Sequence, residues 1–291
     1  MTFPFQLLTI AVFLISISSC HLHQTPDARY FDIAAAADLP LEKPSPFEWR
    51  YMHDEKPQTF SDYKKVILPS GKSCIYLLPV GEFNNLQMKA LLTTRSYIEI
   101  FYQQPVKFLP GLKDDLVPLT ARRIQADKHI QLLAPYILDT LLNNRLPCDG
   151  IALMAITAKD LYPKADWNFV FGLSSYVNRV GVTSIYRFQD TRDSLNYQIM
   201  LRRLNSISSH ELGHMLQMRH CLHAKCVMNG SNGLRETDKT PSRLCSECQK
   251  KMSWRFKYDN FKRLKQLAAF YKSNGLENDY AVLKPELDAL D

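Results

Sequence analysis

Two histidines four residues apart, with a glutamate after the first and a third histidine six residues on, constrain this chain more than any other feature. The run is His210-Glu211-Leu212-Gly213-His214, and His220-Cys221 follows it. Side chains four apart share one face of an α-helix, so His210 and His214 can aim at one point. A third imidazole makes a nitrogen set that suits zinc, which binds such ligands at about 2.0–2.1 Å and in reactive sites keeps a position open for water. Glu211 sits roughly 100° further round the helix. It lies off the ligand face but within reach of that water, where a carboxylate can act as a general base in peptide hydrolysis. Three fixed positions alone also occur by chance in ordinary helices, and the third histidine makes that reading much weaker. Upstream, Ile199, Met200, Leu204 and Ile207 recur at spacings that bury one side of a helix.

The cysteines that follow sharpen the picture. Cys221 and Cys226 are joined by a C-x-x-C pair, Cys245 and Cys248, and together offer a closed four-thiolate set of the kind that binds a structural zinc. Between the pairs runs a turn-forming stretch, Met228-Asn229-Gly230-Ser231-Asn232-Gly233. The combined pattern, H-E-x-x-H-x5-H-C-x4-C-x-M and then C-x-x-C, resembles the archaemetzincins, zinc peptidases of the metzincin clan. Segments 160–163, 167–172 and 181–188 resemble that family too, and the likeness covers roughly residues 49–270. It implies that His210, His214 and His220 hold a catalytic zinc, with Glu211 as general base and acid. It makes Met228 the methionine beneath the site, and Cys221, Cys226, Cys245 and Cys248 the ligands of a second zinc. It also implies an α/β (α+β) fold with a twisted mixed sheet over the active-site helix, C-terminal helices, and an antiparallel edge strand near 168–172 or 180–187. Peptides or proteins are the implied substrates, with aminopeptidase action on short peptides as one form. In one place the chain departs from the family: Gln217 stands where a glycine lets the helix stop and the chain turn towards the third histidine. A glutamine costs about 1–2 kcal/mol there if it must be left-handed; alternatively the helix continues slightly and loosens the third ligand, and the expectation is that zinc still binds, slightly more weakly.

The beginning of the chain is a second strong signal. Residues 3–17 are almost all apolar and lead to Ser18-Ser19-Cys20, with no Lys or Arg before them. Such a run is short for a membrane span and resembles a bacterial lipoprotein leader. The expected organisation is a signal peptide over 1–19, a lipid on Cys20, a tether over 20–48 and a metallopeptidase domain over 49–291. That places the protein outside the cytoplasm, anchored to a bacterial membrane, where nucleic acid is not an expected partner. The tether's His21 and His23 are read as exposed linker residues. Two of the seven cysteines, Cys74 and Cys148, are left without a role, and their pairing is open. The net charge is +7, with a basic run over 250–265. That run reads as a solvated helix face or a contact for phosphates or anionic lipid.

Along the chain, 75–80, 105–110, 151–157, 168–171 and 182–186 read as strands. Residues 84–102 and 119–143 read as helices, the latter with Pro135 as a kink, and 249–273 as one or two basic helices. No tyrosine stands out as a further metal ligand, and Tyr186 and Tyr197 read as core or rim residues. A different class of protein stays open: a zinc-binding interaction module that uses the cysteine quartet and basic tail, its histidine site degenerate. Gln217 is the feature that favours it.

Overall fold

The stretch Gly150–Thr157 is buried along its whole length, as an uninterrupted apolar strand must be. It is the middle of a five-stranded sheet in a computed structural model that describes residues 26–188 and 196–290. The expected leader, its lipid site Cys20, and His21 and His23 lie outside the described residues. In chain order come α1 (Pro26–Ala36), α2 (Trp49–Met52), α3 (Phe60–Lys64), β1 (Cys74–Val80), α4 (Asn85–Tyr102), β2 (Val106–Phe108), β3 (Arg122–Ile124) and β4 (Ile130–Leu133). Next are α5 (Ala134–Tyr136), β5 (Gly150–Thr157), β6 (Asp160–Tyr162), β7 (Gly172–Ser174) and β8 (Val180–Ser184). The helices α6 (Asn196–Met215), α7 (Leu234–Asp238), α8 (Ser246–Phe256), α9 (Asn260–Ser273) and α10 (Glu277–Asp288) complete the order.

The main sheet runs β2-β1-β5-β8-β7. Its neighbours are parallel except for β7, which pairs antiparallel with β8 and ends the sheet. Alternate side chains of a strand face opposite ways. Thus Ile75, Leu77, Ala152, Met154 and Ile156 join a core shared with α4, α6, α8 and α9. Tyr76, Leu78, Leu153 and Ala155 join a second core with Leu132, Ile137 and Leu161. This second core is backed by a small sheet, β3-β4-β6. The α/β expectation and the mixed sheet over the long helix both hold.

Four expectations need correction. Residues 119–143 are not one helix. They form a short turn, the antiparallel pair β3 and β4, and α5, which opens into a wider helical turn over Ile137–Leu141. Lys128 takes a left-handed φ of 68° and closes the β3–β4 connection, while Ile124, an apolar residue of the expected helix, is 74% exposed. Secondly, 168–171 precedes the edge strand and is not itself a strand, because only Val170 makes an isolated bridge, to Leu161. The edge strand is β7, and the 180–184 strand lies inside the sheet. Thirdly, the expected tether includes packed structure. Tyr30 and Ala34 of α1 are fully buried, and Tyr30 meets the Phe261 ring edge-on at 5.4 Å. The Tyr30 hydroxyl bonds Gln249 and lies 3.3 Å from Glu286 Oε2. Finally, the basic run is only partly solvated. Lys251 donates to the Gln58 carbonyl at 2.6 Å and Arg263 to the Phe101 carbonyl at 2.6 Å, both from buried positions. Cys74 is buried, Cys148 is exposed, and both are free thiols.

If α1 belongs to the core, Tyr30→Ala should lower stability by about 3–5 kcal/mol, the usual cost of deleting a buried aromatic. The urea-unfolding midpoint, measured with zinc present throughout, checks this. An unchanged midpoint would return α1 to the status of a tether.

Candidate active site

The site begins with the way α6 stops. Gln217 adopts a left-handed φ of 67° two residues after the helix ends. The Met218 N–H turns back to the Gly213 carbonyl at 2.9 Å and the Gln217 N–H to His214 at 2.8 Å, which satisfies carbonyls that a helix end leaves open. The turn expected of the family's glycine is therefore made by a glutamine. Its side chain adds something glycine cannot: the amide donates to the Tyr176 carbonyl. Its own carbonyl accepts from Gln58 Nε2 at 2.9 Å.

The turn brings His220 back to the α6 face that carries His210 and His214. One ligand atom from each of the three lies within 4.8 Å of the others. His210 Nδ1 lies 2.8 Å from the Val227 carbonyl, His214 Nδ1 lies 2.7 Å from the Met218 carbonyl, and His220 Nδ1 lies 2.9 Å from Glu55 Oε2. Each outward Nδ1–H has an acceptor, so each Nε2 is left with its lone pair. Nε2 of His210 and of His214 approach to 2.9 Å. Burial lowers the pKa of all three imidazoles, that of His220 to about 3. Neutral imidazoles with converging lone pairs fit a zinc ion.

Glu211 points elsewhere, to the sheet edge. Its Oε2 accepts from Ser174 Oγ of β7 at 2.6 Å, and burial raises its pKa to about 7. Gly172 makes room for it: a Cβ there would lie 2.8 Å from the Glu211 side chain. The three histidines, Glu211, β7 and Trp49 line a cleft of about 420 Å³. Tyr176, in the turn after β7, has its hydroxyl 2.7 Å from His214 Nδ1, and burial raises its pKa. The other two tyrosines lie apart. Tyr186 stacks on His129 and Tyr197 bonds Thr93. Sequence reasoning missed Tyr176, Ser174 and Glu55, and nothing in the local pattern marks them.

The four sulfurs of Cys221, Cys226, Cys245 and Cys248 also lie within 4.8 Å of one another, all buried. The Cys221–Cys245 separation of 3.4 Å is too long for a disulfide. Hydrogen bonds from Cys226 and the other sulfurs push Cys221 towards thiolate, while Cys226, through burial, and Cys248, through its sulfur neighbours, are pushed up. Four buried sulfurs gathered this closely suit a zinc site of the closed type. Amides of Met228 and Cys245 donate to Cys226 Sγ at 3.4 and 3.3 Å. Asn229 staples the loop, accepting from the Cys226 N–H at 2.8 Å and donating to the Cys221 carbonyl at 2.7 Å. Met228 is fully buried, packs against Gly213 of α6, and accepts from the Cys221 N–H at 2.7 Å.

A helix bearing two convergent histidines and a glutamate, a third histidine beyond its end and a sheet edge alongside belong to a zinc metallopeptidase. Comparison with known proteins agrees. The model of peptidase family M54 matches residues 91–254. Archaemetzincin-2 of Pongo abelii is 30% identical over 274 residues, 80% of this chain and 74% of that protein. The archaemetzincin of Thermococcus kodakarensis is 35% identical over 125 residues, 42% of this chain and 66% of its own length. The crystal structure of Methanopyrus kandleri archaemetzincin shares the fold, with a TM-score of 0.52 and 24% identity over 66% of this chain and all of that one. The chain belongs to peptidase family M54, the archaemetzincins.

The backbone at Gln217 can be tested directly. Gln217→Ala keeps the left-handed strain and loses the bond to Tyr176, whereas Gln217→Gly loses the bond but relieves the strain. The glycine variant should exceed the alanine variant in stability by about 1–2 kcal/mol. Thermal unfolding of the two variants reads the difference, and equal midpoints would mean that the turn is not left-handed in solution.

Proposed function

We propose that the protein is a metzincin-type peptidase that hydrolyses peptide bonds at the histidine site, with a second, structural zinc on the cysteines. The observation that carries this is the outward bonding of all three Nδ1 atoms, which leaves three neutral nitrogens for one ion. His210, His214 and His220 would hold it. When bound, zinc supplies a Lewis acid that polarises a scissile carbonyl and makes water a stronger acid. Glu211 would serve as the base that accepts a proton from the attacking water and returns it to the leaving amine. The Ser174 hydroxyl occupies Oε2, so Oε1 would be the oxygen left for this exchange. An extended peptide can add to the free edge of β7, which would lay it along the cleft beside Glu211. Short peptides cut from their amino end are the form carried over from the family.

The second reading, a binding module built on the cysteine quartet and basic tail with a degenerate histidine site, has Gln217 as its one favouring feature, and the left-handed turn at that residue supports the peptidase reading instead. The sequence Ser18-Ser19-Cys20 supports a lipid anchor and an extracytoplasmic location.

Metal analysis of the purified protein should give two zincs per chain, falling to one in His210→Ala. Glu211→Gln should keep both zincs while turnover of peptide substrates falls by about 10²–10⁴-fold. Undiminished turnover in Glu211→Gln would remove it as the base, and an unchanged zinc count in His210→Ala would remove the histidine site. Cys20→Ala should shift the protein from the membrane fraction to the soluble one. A protein that fractionates the same way with and without Cys20 is not anchored through it.

A further inference from the structure

His220 is held from outside the segment that the family model matches. That segment begins at residue 91, whereas the groups that grip the His220 ring come from residues 45–58. Glu55 Oε2 accepts from His220 Nδ1 at 2.9 Å. The Trp49 ring lies against the same imidazole, with centroids 4.2 Å apart, and His53 stacks on that indole at 4.7 Å.

The strap that carries these residues is fastened on both flanks of the cleft. On one side the Trp49 N–H donates to Glu236 Oε1 at 2.9 Å, Glu48 pairs with Lys239 at 2.9 Å, and Asn232 Nδ2 donates to the Phe47 carbonyl at 3.1 Å. On the other, Gln58 Nε2 donates to the Gln217 carbonyl, and Gln58 Oε1 accepts from the Arg219 N–H at 3.2 Å. Gly230 clears the seat for the indole, since a Cβ there would lie 2.1 Å from the Trp49 ring.

The three histidines are not held alike. His210 and His214 sit on α6 and bond backbone carbonyls of the loop that follows it. His220 lies beyond the helix stop, and the acceptor for its Nδ1–H is a side chain from the strap. A bland alternative is that Glu55 is a rim carboxylate lying beside a histidine by accident. The double fastening of the strap and the indole clamp on the same ring weigh against it.

We propose that Glu55 is the positioning residue for the third zinc ligand, and that the 45–58 strap thereby sets the metal affinity of the histidine site. A carboxylate that accepts from a ligand imidazole fixes its orientation and tautomer and makes the other nitrogen more basic. Loss of such a partner typically weakens metal binding about 10–100-fold. The inference rests on the proposed reading of His220 as a zinc ligand.

The test is zinc competition against chelators of graded affinity, on the full chain and on Glu55→Ala, Glu55→Gln and His210→Ala. The cysteine site serves as an internal reference. Glu55→Ala should release zinc from the histidine site about 10–100-fold more readily, with the cysteine-site zinc and the unfolding midpoint of the zinc-free protein unchanged. Glu55→Gln retains an acceptor oxygen without its charge and should fall between wild type and alanine. Histidine-site affinity in Glu55→Ala within about twofold of wild type would overturn the proposal. So would equal loosening of both sites, which marks general damage. If the alanine variant does not fold, wild-type affinity in Glu55→Gln overturns it equally. Failure of the histidine-site reading is separable: it appears as no loss of zinc in His210→Ala, whatever the Glu55 variants do.

Discussion

The abrupt end of α6 is the constraint on which the site depends. Two histidines on a helix face fix a direction, but only a chain that reverses within a few residues can return a third to the same point. The reversal is made by one left-handed residue, Gln217, and held by the turn-back bond from Met218 to Gly213. The Tyr63 hydroxyl donates to the Leu216 carbonyl at 2.9 Å, which secures the same corner from α3. A glutamine tolerates this conformation because its side-chain amide and its carbonyl both find partners. The strain of about 1–2 kcal/mol is set against bonds that also tie down the loop bearing Tyr176.

The sheet matters to the site mainly through its last strand. β1, β5 and β8 are buried on both faces and provide a rigid floor. Among the described strands of the sheet, β7 is the edge that lines the cleft, and Gly172 on it brings backbone close to Glu211. The glutamate is thus gripped between a helix and a strand. Its carboxylate keeps one oxygen on Ser174 and has the other to use.

The convergence of both clusters was legible in the sequence because helical periodicity and ligand spacing are local geometry. His210, His214 and His220 converge as their spacing requires, and so do the four cysteines. At Gln217 the sequence left two readings open, a left-handed turn or a helix that runs on, and the structure has the turn. Tyr176 and Glu55 were not legible, because they reach the histidines from 38 and 165 residues away through tertiary pairing. Within 119–143 the apolar residues fit more than one period, and the hairpin is decided by partners elsewhere: Gln131 donates to buried Asp160 at 2.6 Å while β4 pairs with β6. The alanine-rich stretch before residue 38 looked like a linker. Tyr30 and Ala34, one helical turn apart, are what dock it.

The burial of α1 also has a consequence for how the chain comes to be folded. Tyr30 reaches Glu286 in α10 across 256 residues of sequence, and Glu286 in turn pairs with buried Arg243. Among the described helices, α1 therefore cannot complete its packing until α10 is in place. The parallel sheet and α6 can form before this closure, yet the face of α1 that meets α10 stays unsatisfied until then. A chain cut short of α10 would leave that surface open to any chaperone or protease that meets it.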